Sequence, residues 1–474
     1  MTEQKRSSFW NRALRNAKSA WDKIALDNDA VSSIASSPDI NDEDRVHLIS
    51  HMQACLDRRG GEVSARKRAA ALGRVYLSLN STGRERFLTI LATEFDTDHE
   101  AVNEAVTQLA EAEDAEQRFH AEQHLRGTLR APRIRLLTQF NALPEGVKFL
   151  VDMRAELIPL ARSDARLRPL ETDLKLLLTG WFDVGFLELR QITWDAPASL
   201  LEKLFVYEAV HEIKGWDDLK NRMASDRRCF AFFHPRMPDE PLIFVWVALV
   251  NGIADNVQVL LDEDAPLGDP ETADCAIFYS ISNAQAGLSA INFGNFLIKR
   301  VVDDLSRELP KLTTFATLSP VPGFRRWLDQ LVTEKNAPPI LNNNQAEAAL
   351  ALSPGKSPEA AVNEIISRYQ WQDDEVLTAA VRDPLQRLCA HYLVKEKHDS
   401  GTAKNSVAHF HLNNGAIVAQ IDWLGDSSDR GISDSAGLMV NYLYKLKTID
   451  NNHESYRAGE EVIASTRIKS LIKP

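Results

Sequence analysis

From Ile40 to Arg130 the chain contains no proline, and its apolar residues recur at three- and four-residue steps, as in Val46, Leu48, Ile49, Met52 and Leu56. Proline removes a backbone donor and clashes with the preceding turn, so a long stretch without it and with this period predicts a run of helices. The stops are legible as well. Gly60-Gly61 ends one helix, Asn80-Ser81 ends one and caps the next, and Asp96 to Asp98 cap another. Helical patterns continue through Arg133 to Leu160, broken at Pro144 and Pro159, and through Leu170 to Leu178, where Pro169 suits a helix start. No repeat period argues for a solenoid.

Around Gly180 the texture changes. A further helix is expected from Ala198 to Val210, and then short apolar runs of strand length appear at Cys229–Phe233, Leu242–Val250, Val257–Leu261 and Cys275–Ile281. Asn295 to Leu309 has helical spacing and Thr313 to Leu318 is strand-like, so strand, loop, helix and strand make a parallel crossover unit. Residues Leu341 to Ser357 look like an exposed insertion or linker. Pro358 to Lys397 reads as helical, and Val407 to Trp423 as a hairpin turning at Asn414-Gly415. Single cores stop growing at about 250–300 residues, so 474 residues predict at least two domains. The expected class is α+β, with an all-helical domain over 1–182 and a mixed α/β domain over 183–474.

Whole-chain quantities narrow the function. Hydrophobic residues at 44% and charged residues at 26% are those of a globular protein, not a disordered one. The net charge of -12 argues against a general nucleic-acid binder, which needs a basic excess, and any anionic ligand must be held by local structure. Cys55, Cys229, Cys275 and Cys389 lie far apart, without the paired spacing of a zinc or redox site, and read as reduced thiols. No run approaches the roughly 18 apolar residues of a membrane span. The basic opening stretch with Trp10, Leu14 and Trp21 suits either a solvated first helix or a targeting segment.

Three segments could carry chemistry. The loop Ser282-Asn-Ala-Gln-Ala-Gly-Leu-Ser-Ala-Ile-Asn-Phe-Gly-Asn295 leads with two glycines into a helix, which offers backbone N–H groups and a helix dipole to a pyrophosphate, or is a plain connection. In Leu318-Ser-Pro-Val-Pro-Gly-Phe324, Ser319 heads a stiff turn at the end of a parallel strand, where open sheets place their sites, or is simply a turn serine. In His409-Phe-His-Leu-Asn-Asn-Gly-Ala416 the two histidines share a strand face if the hairpin is right; half a metal site is then conceivable, but no further ligands stand out, and one histidine for proton transfer is the economical reading.

Phe278-Tyr-Ser-Ile-Ser282, Phe296-Leu-Ile-Lys-Arg-Val-Val302, Leu318-Ser-Pro-Val-Pro-Gly-Phe324, Phe410-His-Leu-Asn-Asn-Gly-Ala416 and Gly437-Leu-Met-Val-Asn-Tyr442 together resemble, in order and spacing, the signatures of malonyl-CoA decarboxylases. The resemblance runs from about Ile192 to Tyr444. It implies a helical oligomerisation domain, self-association as a homotetramer, and a catalytic domain of the GNAT acyltransferase kind that decarboxylates malonyl-CoA to acetyl-CoA. The family's catalytic serine falls on Ser319 and its histidine on His411. Its CoA-binding loop falls on Ser289, Ala290, Ile291, Asn292, Phe293, Gly294 and Asn295; Tyr442 and Tyr444 are candidates for holding substrate, and Lys203 resembles a lysine the family requires.

Animal members carry an acidic residue where this chain has Asn292, so a role resting on that carboxylate does not carry over. The chain ends Leu471-Ile-Lys-Pro474 where some eukaryotic relatives end Ser-Lys-Leu, which favours a cytoplasmic, bacterial enzyme. The reaction asks for no metal, no redox cofactor, no nucleic acid and no membrane. Two other readings stand beside it: an acyl-CoA-dependent acyltransferase with the same cradle, and a helical interaction protein that binds acyl-CoA as a signal.

Overall fold

A computed structural model describes Trp21 and residues 36–57, 61–291, 296–334, 337–459 and 462–473. The backbone forms two compact units, the first made of residues 1–188, 233–242 and 283–293 and the second of 189–232, 243–282 and 294–474.

Helices dominate the first unit. Asp42–Leu56 starts in a capping box, where the Asn41 side chain accepts from the Asp44 N–H at 2.8 Å and the Asp44 carboxylate accepts from Asn41, so two otherwise orphaned N–H groups are satisfied. Gly61–Ser78, Ser81–Thr93, His99–Ala110, Ala115–Thr128 and Pro132–Phe140 follow, with Asn80 and Asp98 as the expected caps. Trp21, Tyr76, Phe87, Phe140 and Phe149 bury their rings edge-on and tilted against one another, and the Trp21 indole donates to the Pro144 carbonyl at 2.7 Å. Pro159 does not break its helix as expected. It lies inside Gly146–Ser163, a helix whose buried residues run from Gly146 to Ala161, and packing outweighs the lost hydrogen bond. Arg168–Trp181 carries Pro169 in its first turn, as expected.

The second unit carries a mixed sheet of β1 (Glu188–Ile192), β2 (Arg227–Phe233), β3 (Ile243–Val250), β4 (Cys275–Asn283), β5 (Thr314–Thr317), β6 (Ser319–Pro320), β7 (Ile417–Asp422) and β8 (Met439–Leu443). The order is β1-β2-β3-β4-β5-β8-β6, with β7 also on β8. β2 and β3 form an antiparallel meander in which Cys229 faces Trp246, whereas β4 and β5 are parallel, Phe278 opposite Thr317, joined through the helix Phe296–Glu308. An all-helical region followed by a mixed α/β domain is thus what the chain has.

Three expectations fail locally. Val257–Leu260 is a short helix capped by Asn256, not a strand; a brief apolar run carries no period that separates the two. The supposed linker 341–357 contains the helix Asn343–Leu352, opened by an Asn342/Gln345 capping box and burying Ala346 and Ala349. The supposed hairpin 407–423 is instead the helix Ser406–Asn413, a turn and then β7.

Candidate active site

β5 and β6 are one extended segment that keeps a single register against β8, with the ladder interrupted at Thr317 and Leu318. Ala316 faces Leu443 and Ser319 faces Val440, and the ladder breaks between these two pairs. Side chains fill the gap: the Tyr442 N–H donates to the Thr317 hydroxyl at 3.1 Å, and the Asn441 amide donates to the Thr317 carbonyl at 2.8 Å. Residues two apart on a strand share a face, so Thr317 and Ser319 sit side by side, and Ser319 Oγ donates to Thr317 Oγ1 at 2.8 Å.

Gly323, at φ +81°, turns the chain from this segment into the helix Phe324–Thr333. The helix Ser406–Asn413 is tied to the same turn by its cap. Asn405 accepts from the Ala408 N–H at 2.8 Å and donates its amide to the Pro322 carbonyl at 2.8 Å. Gly415 ends that helix at φ +79°, where a Cβ would stand 2.1 Å from the Ile449 carbonyl oxygen, so no larger residue fits.

His411 lies in the last turn of this helix with three partners. Nε2 is 3.2 Å from Ser319 Oγ, Nδ1 is 2.7 Å from the Tyr444 hydroxyl, and the ring stacks on Tyr442 at 4.5 Å between centroids. The group is closed to water: Thr317, Ser319, His411, Tyr442 and Tyr444 are all buried. Desolvation disfavours the imidazolium and pushes the His411 pKa down to about 3, so the ring is neutral. Burial holds both tyrosine hydroxyls well above their ordinary range, so both keep their protons.

Because residues two apart on a helix point about 200° apart, His409 does not share a face with His411, as the strand reading required. Its Nδ1 meets the Tyr456 hydroxyl at 2.9 Å. Among the described residues no group of three His, Cys, Asp or Glu side chains gathers as a metal site.

The predicted CoA loop lies in part in the first unit. Gly287 packs so closely that a Cβ would sit 1.7 Å from the Val151 carbonyl oxygen. The buried Arg154 guanidinium donates to the carbonyls of Gly287 at 2.5 Å and Ser289 at 2.9 Å, while Glu171 accepts from it at 2.7 Å. Ala290 takes a left-handed φ of +59°. Beside the loop lies a cavity of about 390 Å³ lined by Ala155, Ile158, Leu242, Ser289, Ala290 and Ile291, among others. Asn292, Phe293, Gly294 and Asn295 lie outside the described residues. Lys203 is half-buried on the separate helix Ala198–Tyr207 of the second unit. The structure therefore brings Ser319, His411, Tyr442 and Tyr444 together and adds Thr317, which the sequence reading missed although its two-residue spacing from Ser319 was visible.

Comparison with known proteins gives a consistent result. Residues 185–474 match the family model of the malonyl-CoA decarboxylase C-terminal domain and residues 95–182 that of its N-terminal domain. A mitochondrial malonyl-CoA decarboxylase of Mus musculus is 39% identical over 428 residues, covering 87% of this chain and 83% of that one. One from Anser anser anser is 37% identical over 424 residues, 86% of this chain and 84% of that one. The crystal structure of malonyl-CoA decarboxylase from Rhodopseudomonas palustris superposes with a TM-score of 0.82 at 38% identity, covering 90% of this chain and 99% of that one. That from Agrobacterium vitis gives 0.81 at 38% identity, covering 90% and 100%.

Proposed function

Since the chain belongs to the malonyl-CoA decarboxylase family, a family of carboxy-lyases, we propose that it converts malonyl-CoA to acetyl-CoA and carbon dioxide, with Ser319 and His411 as the catalytic pair. The observation that carries this reading is the contact between Ser319 Oγ and His411 Nε2 inside a buried cluster lined by Tyr442 and Tyr444. Losing carbon dioxide breaks a C–C bond and leaves its electron pair as a thioester enolate, which must then take a proton at carbon. An approaching carboxylate favours the imidazolium, so His411, neutral at rest, takes up a proton as substrate enters. After carbon dioxide leaves, Ser319 gives its hydroxyl proton to the enolate carbon and takes one from His411 Nε2. The net reaction consumes one proton and leaves both groups neutral, with the imidazole hydrogen on Nδ1 until the tautomer resets to Nε2. Positioned proton transfer of this kind contributes roughly a hundred- to ten-thousand-fold.

Tyr444 orients the imidazole, and Tyr442 forms the wall it stacks on. The cavity beside Ser289–Ile291 suits part of the CoA moiety, with Arg154 bracing the loop. Residues 1 to about 182 form the module through which copies associate as a tetramer. Among the described residues no helix is long and apolar enough to cross a membrane, and the expected cytoplasmic location finds no support in curated relatives that are named mitochondrial.

The deciding experiment incubates purified protein with malonyl-CoA and no acyl acceptor. Stoichiometric carbon dioxide and acetyl-CoA are expected. Turnover only when an acceptor is added would make it an acyltransferase, and binding without turnover a regulatory acyl-CoA receptor.

A further inference from the structure

Ser319 has two neighbours within hydrogen-bond reach, Thr317 Oγ1 at 2.8 Å and His411 Nε2 at 3.2 Å, and a single proton to share between them. The direction of the first bond decides the second. Ser319 Oγ is the donor to Thr317, whose oxygen also accepts the Tyr442 N–H. A serine that spends its proton on Thr317 can only accept from His411, so Nε2 must carry a hydrogen. Neutral imidazole then has a bare Nδ1, and the Tyr444 hydroxyl at 2.7 Å supplies the donor it needs.

We infer that Thr317 is a positioning residue that sets the direction of the proton wire Tyr444–His411–Ser319 by holding the serine proton away from His411, so that Nε2 is protonated before substrate arrives. The inference rests on the Ser319–His411 reading above and deepens it. Thr317 does this because it stands where the ladder between the β5–β6 segment and β8 is interrupted. Its hydroxyl takes the place of a backbone acceptor for Tyr442, which fixes the χ1 rotamer of a stiff β-branched side chain and aims the oxygen at Ser319. In the opposite arrangement, with Ser319 donating to Nε2 and Nδ1–H donating to Tyr444, the wire runs toward the tyrosine and the serine is set up as a nucleophile instead of a relay for delivery to carbon.

The experiment is a cycle on the full-length enzyme. Thr317→Val keeps the shape and removes the hydroxyl, and Thr317→Ser keeps the hydroxyl and loses the methyl. Thr317→Val is expected to lower kcat at least tenfold with KM for malonyl-CoA changed less than twofold, and Thr317→Ser to recover most of the loss. In a Ser319→Ala background, adding Thr317→Val is expected to change kcat by less than twofold, because a residue that acts through the serine has nothing left to act on. An undiminished further loss in that background means a purely structural role and overturns the inference. If Thr317→Val is fully active while Ser319→Ala is not, the inference alone fails; if Ser319→Ala is itself fully active, the serine–histidine reading fails first.

A second readout needs no Thr317 variant and survives if Thr317→Val does not fold. Solid-state 15N spectra of histidine-labelled enzyme, with His411 assigned by comparison with His411→Gln, are expected to show a protonated Nε2 and a bare Nδ1. The reverse tautomer overturns the proposal.

Discussion

Replacing Tyr444 by Phe removes one oxygen from a place where the structure gives it one clear task. The hydroxyl is buried, lies 2.7 Å from His411 Nδ1, and its ring meets Phe278 edge-on at 6.4 Å between centroids, so the ring should stay where it is when the oxygen goes. A neutral hydrogen bond contributes about 1 kcal/mol net, but a buried partner left unsatisfied costs about 1–3 kcal/mol. His411 Nδ1 is buried with its ring, so the upper half of that range applies. If the cost fell wholly on folding, Tyr444→Phe would lower the melting temperature by several degrees and leave kcat intact. If the bond also fixes the tautomer and ring angle through the reaction, about 1.4–2.8 kcal/mol of it reappears in the barrier, which is a ten- to hundredfold loss in kcat.

The assay is release of carbon dioxide from malonyl-CoA under saturating and limiting substrate, with thermal melts run in parallel. Tyr442→Phe is the paired control, since the Tyr442 hydroxyl has no hydrogen-bond partner among the described residues. Its loss should leave stability unchanged, and if it holds substrate it should act on KM. A Tyr444→Phe variant with wild-type kcat and an unchanged melt would refute the assignment of Tyr444 to His411.

Four further outcomes are expected. Ser319→Ala and His411→Ala should each lower kcat by a similar large factor, and the double variant should be scarcely worse than either, as parts of one relay are not additive; additive losses in the double variant would separate them. His409→Ala should keep turnover within about threefold of wild type, because His409 serves Tyr456 on the opposite side of its helix. Arg154→Met should raise KM for malonyl-CoA several-fold with kcat preserved, and destabilise by about 3 kcal/mol through the unpaired Glu171 and two loop carbonyls; an unchanged KM would detach Arg154 from substrate binding. Burial, with the Asp255 charge adding to it, holds the Asp422 carboxyl up at about 8, so its stabilising contribution is complete below about pH 4 and is lost as pH rises toward 8. Asp422→Asn cannot ionise and should therefore gain in melting temperature over wild type more at pH 8.5 than at pH 5; an equal difference at both would contradict the raised pKa.

The helical half was legible because each signal there is local. Asn80 and Asp98 cap the helices they were expected to cap, and Pro169 sits in the first turn where its missing N–H costs nothing. The misreadings share one cause, a local signal that two structures use. Asn-Gly supplies a residue with positive φ, which a tight hairpin and a helix C-terminus both require, and at Gly415 the helix took it. What the turn alone could not reveal was Asn405, a helix cap eight residues upstream of Asn413 whose amide is engaged by Pro322. Composition alone makes Pro159 look like a break and 341–357 like an exposed insertion or linker, but tertiary packing puts a buried helix through both.

The site follows the same division. The catalytic roles of Ser319 and His411 come from the resemblance, since neither a serine before proline nor a pair of histidines specifies a reaction, and a strand there would wrongly put His409 on the face of His411. Thr317 was open to a purely physical reading: a threonine two residues before a candidate serine on a strand must stand on its face. What turns that adjacency into chemistry is a failed stretch of β-ladder, where Thr317 and Asn441 side chains replace backbone partners. Such a break depends on how two distant segments meet in register, and no pattern within either segment encodes it. The residues that make the candidate chemistry were therefore visible one at a time, while the hydrogen-bond direction that orders them exists only once β8 lies beside the strand that carries the serine.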